Sequence, residues 1–355
     1  MDRIERYDPN FKVNTNLNQE NITFYNALSE QFSLHGVFYE KDQFVRLPTS
    51  IAQTVSPTVA FLGNNTAGGR VRFYTDSTYV AISAKMPQCC HAPHFPTSGS
   101  VGFDMYADGR FVNCFMPPQG VSDGYDSLLH FPDKKIHLVT INLPLYSSVS
   151  GLHIGVAKGA LLIPGPKYPN EHPVVFYGSS ITQGGCASRP GNTYEAILSR
   201  MLNFDYVNLG FSGGAKGELE IANYIAGLSM SAFVMDYDYN SPSLEHLQET
   251  HERMFRIIRA AHPNLPILLV SKPLACLSAE NRQRRDMIRS TYENARVRGD
   301  HNVYFLDGST MYDGQGGDSC TVDGRHPNDL GFMAMAKAME PILRSMLGSP
   351  IFTEN

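Results

Sequence analysis

Four short segments in the second half of the chain carry residue types that together could perform acyl transfer. The first is Gly178-Ser179-Ser180, which directly follows the apolar run 173–177. A serine at a turn from a strand into a helix can project its hydroxyl above a sheet, where a neighbouring base can activate it as a nucleophile. On its own, however, such a turn is more often only a loop and a helix cap.

The second segment, near the end of the chain, combines a carboxylate with an imidazole. Asp323 and His326 are three residues apart in a loop that precedes an apolar helical pattern. At this spacing the carboxylate can fix the imidazole tautomer while the other ring nitrogen faces a serine. The chain contains 12 histidines, most of which we expect at the surface. The spacing from Asp323 is what makes His326 a candidate base.

The remaining two segments offer hydrogen-bond donors for a developing oxyanion. Asn208–Gly214 contains Gly210, Gly213 and Gly214, and glycine allows a tight turn that exposes a backbone N–H. Asp238-Tyr239-Asn240 offers a side-chain amide that donates without adding charge. Taken singly, a flexible loop and an asparagine in a turn are the favoured explanations of these two segments.

Alternating strand and helix patterns predict how the four segments are positioned. This alternation indicates βαβ units in a doubly wound parallel sheet, in which sites form at the carboxyl ends of strands. Each of the four segments follows a strand or precedes the last helix. The predicted strands are 173–177, 206–209, 231–236, 266–271 and 303–306, and the predicted helices are 193–202, 243–261, 279–297 and 329–347.

The first half of the chain has the two-residue period of antiparallel strands. Arg70–Tyr74 and Tyr79–Ala84 alternate, and Ala107-Asp108-Gly109-Arg110 is a strong hairpin turn. No helical pattern of useful length interrupts these segments, so we expect a β-sandwich or jelly roll. The predicted organisation is an N-terminal arm at 1–35, an all-β domain at 36–168 and an α/β domain at 169–350.

In this order, the serine, glycine, asparagine and Asp-x-x-His segments resemble those of the SGNH (GDSL-like) hydrolases. The resemblance covers about 173–347 and implies a flavodoxin-like parallel sheet with Ser180 as nucleophile, His326 as base and Asp323 as its orienting carboxylate. It also implies an oxyanion hole made by the N–H groups of Ser180 and Gly213 and the Asn240 amide. The sequence departs from the family pattern in two places. Ser179 replaces the usual aspartate, and Asp238-Tyr239-Asn240-Ser241 replaces the usual Gly-x-Asn-Asp.

The β-rich half is also similar to a known domain. Gly102-Phe103-Asp104-Met105-Tyr106 resembles the GxDLY motif of the domain that precedes a subgroup of SGNH enzymes. That subgroup contains bacterial esterases and an acyltransferase of antibiotic tailoring. The segment 184–191 is similar to the same subgroup, and Arg189 within it is a candidate substrate contact. We expect Asp104 and Tyr106 to cap a turn and to pack.

Composition limits the partners and the location. The net charge of −5 argues against nucleic acid or an anionic membrane as the main partner. The N-terminal residues lack a signal-peptide pattern, so we expect a cytoplasmic protein. The six cysteines show no metal-ligand spacing, and reduced thiols are the simplest interpretation. No metal or organic cofactor is implied. A homo-oligomer is compatible with the sequence but not required by it.

The substrate expectation comes from the resemblance. The chain resembles two-domain acetylesterases of gut bacteria that act on β-mannan. This resemblance implies that the protein removes O-acetyl groups from acetylated mannan or xylan oligosaccharides. Tryptophan is absent, so the 18 Tyr and 20 Phe would have to supply sugar-stacking faces. An acyltransferase would need the same triad. A catalytically inactive glycan-binding protein is the third alternative, and the intact serine, aspartate and histidine argue against it.

Overall fold

The computed structural model describes residues 17, 19–274 and 278–348. Its first half is strand-rich, with three short helices α1 (Thr49–Val55), α2 (Pro57–Leu62) and α3 (Thr97–Ser100). The strands in chain order are β1 (Ile22–Asn26), β2 (Ser33–His35), β3 (Phe38–Glu40), β4 (Gln43–Val45), β5 (Arg70–Thr75), β6 (Tyr79–Lys85), β7 (Phe103–Ala107), β8 (Arg110–Phe115), β9 (Gly124–His130), β10 (His137–Asn142), β11 (Gly151–Ala157) and β12 (Leu162–Pro164).

Two antiparallel sheets form a sandwich, as predicted. One has the order β1-β11-β6-β9 and the other β12-β5-β10-β7-β8, with β2 also paired to β5. The second sheet packs on the sandwich core with one face and has its other face free for different contacts. Strand β5 shows this, because its side chains alternate between the two faces. Val71 and Phe73 are fully buried in the sandwich core. Arg70 and Arg72 point to the other face, where Arg70 pairs with Asp205 of the second half and Arg72 donates to the carbonyl of Pro166.

Two details of the first half differ from the sequence-based expectation. Residues 22–35, assigned above to an arm, contain β1 and β2, because pairing of β1 with the distant β11 stabilises a segment whose local pattern is weak. Residues 1–16 and 18 of the predicted arm lie outside the described residues. Helices α1 and α2 were also missed. Each has at most two turns, and both pack on the α/β domain rather than on the sandwich.

The second half is a parallel sheet with helices on both faces, which confirms the predicted α/β fold. The sheet order is β14-β13-β15-β16-β17. The chain adds β14 on one side of β13 and the three later strands on the other side. Strands β13 and β15 are buried along their whole length, which explains their nearly continuous apolar sequence. The strands are β13 (Val174–Gly178), β14 (Tyr206–Gly210), β15 (Ala232–Asp236), β16 (Ile267–Val270) and β17 (Val303–Leu306).

Polar side chains set the starts of the long helices. Ser243, Ser278 and Asn328 cap α7, α8 and α9 by accepting a hydrogen bond from a backbone N–H of the first turn. Helices α4 and α6 were not predicted from the sequence. The helices are α4 (Ser180–Gln183), α5 (Tyr194–Leu202), α6 (Leu219–Ala226), α7 (Leu244–Ala261), α8 (Ala279–Val297) and α9 (Asp329–Met346).

Two further features bear on the environment of the protein. Within the described ranges, no helix is both long and apolar enough to span a bilayer. Cys89, Cys90, Cys114, Cys186 and Cys320 are unpaired thiols. Cys276, the sixth cysteine, lies outside the described residues.

Candidate active site

Ser180 lies at the point where the parallel sheet reverses its strand order. It is the first residue of α4, which follows β13, and β13 is flanked by β14 on one side and by β15 on the other. Ligands of such sheets bind at this switch point. Ser179 caps the short helix by accepting a hydrogen bond from the N–H of Ile181 at 3.2 Å. The serine that replaces the family's usual aspartate therefore still supports the turn.

Glycine is required immediately before this turn. A Cβ on Gly178 would lie 2.0 Å from Oγ1 of Thr182 and 2.4 Å from the carbonyl oxygen of Asp236. These distances are far below van der Waals contact, so α4 packs directly against the end of β15. The close packing fixes the height at which the Ser180 hydroxyl stands above the sheet.

The structure brings the serine, histidine and aspartate together. Oγ of Ser180 lies 2.9 Å from Nε2 of His326, and Nδ1 of His326 lies 2.8 Å from Oδ2 of Asp323. The other carboxylate oxygen of Asp323 accepts the backbone N–H groups of Arg325 and His326 at 3.0 and 2.7 Å. The imidazole is therefore held at both nitrogens, in the order expected of a serine nucleophile, a base and an orienting carboxylate.

The hydrogen bonds also set the charge of the carboxylate. Burial opposes ionisation of Asp323, but the hydrogen bonds from His326 and Arg325 outweigh it and lower the pKa to about 2. Asp323 is therefore ionised at neutral pH. An ionised carboxylate keeps the proton of the neutral imidazole on Nδ1 and leaves the lone pair of Nε2 facing the serine.

Two of the three expected oxyanion donors, Gly213 and Asn240, lie on loops that hydrogen bonds connect to α4, directly or through the glycine loop. The N–H of Ser212 donates to Oε1 of Gln183 at 3.0 Å, which fixes the glycine loop to α4. Nδ2 of Asn240 donates to the carbonyl of Phe211 at 2.8 Å, and its second amide hydrogen is left for another acceptor. In the part of the chain that the structure describes, no hydrogen bond uses the N–H of Gly213. A proton donor at each of these positions is thus available to a ligand.

The β-domain reaches into this site through a buried arginine. Arg46 is 1% exposed, and its Nη1 donates to the carbonyls of Asn208 and Gly210 at 3.0 and 2.8 Å. Its Nε and Nη2 donate to the carbonyls of Asn65 and Leu62, both at 2.8 Å. Burial lowers the pKa of Arg46 to about 9, which still leaves it charged at neutral pH. The end of β14, from which the glycine loop leaves, is therefore held by the other domain.

Aromatic side chains from the β-domain form one wall beside the triad. The hydroxyl of Tyr146 donates to the carbonyl of Ser180 at 3.1 Å. The ring of Phe95 lies 4.4 Å from that of Tyr146 and 6.4 Å from the imidazole of His326. Together with Phe61 and His94 they line an open cleft of about 600 Å³ that ends at His326.

Arg189 points to the β-domain in this structure. Its guanidinium carbon lies 3.9 Å above the ring of Phe111, and its Nε lies 3.7 Å from the buried carboxylate of Asp104. Asp104 also accepts the Asn142 amide at 2.7 Å and the N–H of Gly191 at 2.8 Å. The contacts of Arg189 are those of a residue that joins the two domains, and the aspartate of the GxDLY-like motif is its partner.

The residues that the β-domain contributes to this site were not predicted from the sequence. Arg46 lies in the apolar run Phe44-Val45-Arg46-Leu47, and a charge in such a run signals a buried residue with partners, although not which ones. Phe95 and Tyr146 lie outside the strand patterns, and nothing local marks them as neighbours of Ser180. Only the packing of the two domains brings them there.

Comparison with known proteins relates each half of the chain to a protein family. Residues 171–344 match the model of the GDSL-like Lipase/Acylhydrolase family, and residues 22–162 match the GxDLY model, which describes the N-terminus of SGNH-hydrolase-type esterases. The chain therefore carries a GDSL-like lipase/acylhydrolase domain behind a GxDLY-type domain. No curated protein sequence matches the chain significantly.

Several solved structures have a similar fold over most of this chain. A protein of Bacteroides ovatus assigned to the GDSL-like lipases is 29% identical, with a TM-score of 0.83 over 94% of this chain and 100% of its own. The salicylyl-acyltransferase SsfX3 of a tetracycline biosynthetic pathway is 20% identical, with a TM-score of 0.77 over 92% and 98%. A family two carbohydrate esterase of Clostridium thermocellum, solved with cellohexaose, is 18% identical, with a TM-score of 0.59 over 80% and 94%. The last two similarities concern the fold.

Proposed function

We propose that this protein is a serine esterase that removes O-acetyl groups from plant-type oligosaccharides such as acetylated mannan or xylan fragments. The observation that carries the proposal is the continuous chain from Ser180 through His326 to Asp323 at the end of an open cleft. Membership of the GDSL-like domain in a lipase/acylhydrolase family supports ester chemistry.

In the proposed mechanism, Nε2 of His326 takes the proton of Ser180 as Oγ attacks the ester carbonyl. The ionised Asp323 stabilises the imidazolium that forms. The N–H groups of Ser180 and Gly213 and the Asn240 amide donate to the oxyanion, and each such donor contributes about 2.7–4 kcal/mol to transition-state stabilisation. His326 then protonates the leaving alcohol. Water attacks the acyl-enzyme in the second half-reaction.

The aromatic wall supports a small acyl group. The hydroxyl of Tyr146 contacts the backbone of Ser180, and Phe95 packs on the same ring, so two bulky side chains border the nucleophile on that side. Burial of Ser180 to 8% exposure agrees with a narrow approach. We therefore infer that acetate is the preferred acyl group.

The open part of the cleft supports a carbohydrate alcohol. Phe61 is 54% exposed at its rim and presents a flat apolar face on which a sugar ring can stack. This assigns to phenylalanine the role that tryptophan would commonly have, and the chain contains no tryptophan. The carbohydrate esterase that shares the fold was solved with a cello-oligosaccharide, which is consistent with a sugar ligand.

The test is acetate release from acetylated manno- and xylo-oligosaccharides by wild type and by Ser180→Ala. We expect release by wild type only, and p-nitrophenyl esters should be cleaved with rates that fall from acetate to butyrate to octanoate. Wild type should also be labelled at Ser180 by a fluorophosphonate. Absence of release from every glycan, with labelling intact, would show that the esterase assignment holds and the sugar assignment fails.

The same experiment separates hydrolysis from transfer. With a candidate alcohol acceptor present, free acetate should remain the main product of a hydrolase. An acylated acceptor that forms faster than free acid would instead identify an acyltransferase, the chemistry of the structurally similar SsfX3. Failure to label Ser180 would favour an inactive glycan-binding protein.

A further inference from the structure

Three metal-ligating side chains from three separate segments meet beside the proposed nucleophile. One ligand atom from each of His94, Cys186 and His326 lies within 4.8 Å of the other two. His94 belongs to the β-domain and is exposed, Cys186 lies in the buried segment after α4, and His326 is the proposed base. The His94 and His326 rings are 5.5 Å apart.

Two of the three ligand atoms have no competing partner. In the described part of the chain, the side chains of His94 and Cys186 make no hydrogen bond, and the Cys186 thiol is not in a disulfide. The Cys186 backbone also has a φ of 71°, a left-handed conformation that favours glycine or asparagine over cysteine. Residues held in sparsely populated backbone conformations cluster at functional sites.

We propose that His94, Cys186 and His326 form an inhibitory site for a thiophilic divalent cation, Zn²⁺ above all. Imidazole nitrogen and thiolate sulfur are both preferred ligands of Zn²⁺, with bonds of roughly 2.0–2.3 Å. Binding releases the thiol proton of Cys186 to solvent and forms a sulfur–zinc bond, with no change of oxidation state. No oxidant or reductant is therefore needed.

The surroundings of His326 suit this role. The hydrogen bond from Nδ1 to Asp323 is the arrangement that orients zinc-ligating histidines, and it leaves Nε2 as the metal-binding nitrogen. Tetrahedral ligand atoms lie roughly 3.5 Å apart, so the cluster must contract by about 1 Å. Rotation of the exposed His94 can supply that movement. A metal on Nε2 displaces the Ser180 hydroxyl from the same lone pair, so a bound ion blocks activation of the nucleophile.

The binding test is a titration of the whole protein with zinc chloride, measured by calorimetry and by competition with a chromophoric chelator. We expect one ion per chain, and at least about tenfold weaker binding in Cys186→Ser and in His94→Asn. Cobalt(II) should give a sulfur-to-metal charge-transfer band in the near ultraviolet that Cys186→Ser removes. Cys90→Ser, in the same cleft, and His153→Asn, at an exposed position of β11, are the matched controls and should bind zinc as wild type does.

Inhibition is measured separately on p-nitrophenyl acetate. Cys186→Ser should hydrolyse this ester at the wild-type rate but require at least about tenfold more zinc for half-inhibition. Absence of stoichiometric binding, or binding that neither variant weakens, would overturn the site. Binding without inhibition would overturn its inhibitory role. Because binding is measured without turnover, its failure is distinct from failure of the proposed esterase function.

Discussion

Replacement of Arg46 tests whether the β-domain is part of the catalytic apparatus. Its guanidinium donates to four backbone carbonyls, two of which, on Asn208 and Gly210, lie at the end of β14. The loop with the proposed oxyanion donor Gly213 starts directly after them. Arg46→Met keeps the apolar stem of the side chain and removes every one of these hydrogen bonds.

The expected loss of stability follows from two opposing terms. Hydrogen bonds from a charged donor contribute about 1.5–3 kcal/mol each, and carbonyls left buried without a partner are unfavourable by similar amounts. Removing the guanidinium also removes its own desolvation penalty, which is several kcal/mol for a fully buried ion. We therefore expect Arg46→Met to lower the free energy of unfolding by about 2–4 kcal/mol.

The effect on catalysis should exceed what this loss of stability explains. A displacement of about 1 Å in a group that positions the transition state lowers the rate by up to about 10²-fold. In Arg46→Met we expect kcat for p-nitrophenyl acetate to fall by about 10–10²-fold, with a smaller change in KM, because the oxyanion donor acts mainly in the transition state.

Arg72→Met is the matched control. Arg72 is also a buried arginine of the β-domain and donates to the carbonyl of Pro166 at 3.0 Å, but it does not contact the glycine loop. Both variants should be less stable in denaturant titrations followed by circular dichroism, and only Arg46→Met should lose kcat once folded. An Arg46→Met protein that is destabilised but retains full kcat would refute the proposal that Arg46 positions the oxyanion loop.

Three further substitutions test other contacts. Asp323→Asn should be less stable than wild type above pH 4, and the difference should vanish as the pH falls from about 4 to 2. The reason is that a lowered pKa stabilises the folded state only where the carboxylate is ionised. A pH-independent difference in Tm would contradict this. Asp104→Asn should lower the free energy of unfolding by about 1–3 kcal/mol at pH 7, because an amide cannot accept both hydrogen bonds that Asp104 receives; Asp76→Asn, at an exposed turn, is the control. Gly210→Ala should reduce fluorophosphonate labelling, because its Cβ would lie 2.2 Å from the backbone nitrogen of Gln183; unchanged labelling would show that α4 tolerates the shift.

The parallel sheet and the proximity of Ser180, His326 and Asp323 could be predicted from the sequence for a physical reason. Buried parallel strands are continuous apolar runs, and the residues after them lie at one edge of the sheet whatever their separation along the chain. Ser180 and His326 are 146 residues apart, yet both lie in segments that lead from a strand into a helix at this edge. Asp323 follows from its short spacing to the histidine, since three loop residues suffice to bring the carboxylate to Nδ1.

Strand β1 and the contacts between the two domains could not be predicted, because they depend on pairing between distant segments. Strand β1 is short and is stabilised by β11, more than 120 residues later. Arg189 illustrates the same limit at the level of one side chain. Its sequence position near the nucleophile turn favoured a substrate contact, but the direction of the guanidinium depends on Phe111 and Asp104 of the other domain.

These contacts change how the first domain should be understood. A carbohydrate-binding module attached to an enzyme can be removed without disturbing the triad, whereas here Tyr146 contacts the Ser180 backbone and Arg46 holds the end of β14. The aromatic wall and the His94 ligand of the proposed metal site also come from that domain. Differences in acyl preference among proteins with this two-domain fold are therefore expected to depend on residues of the GxDLY-type domain at least as much as on the loops of the parallel sheet.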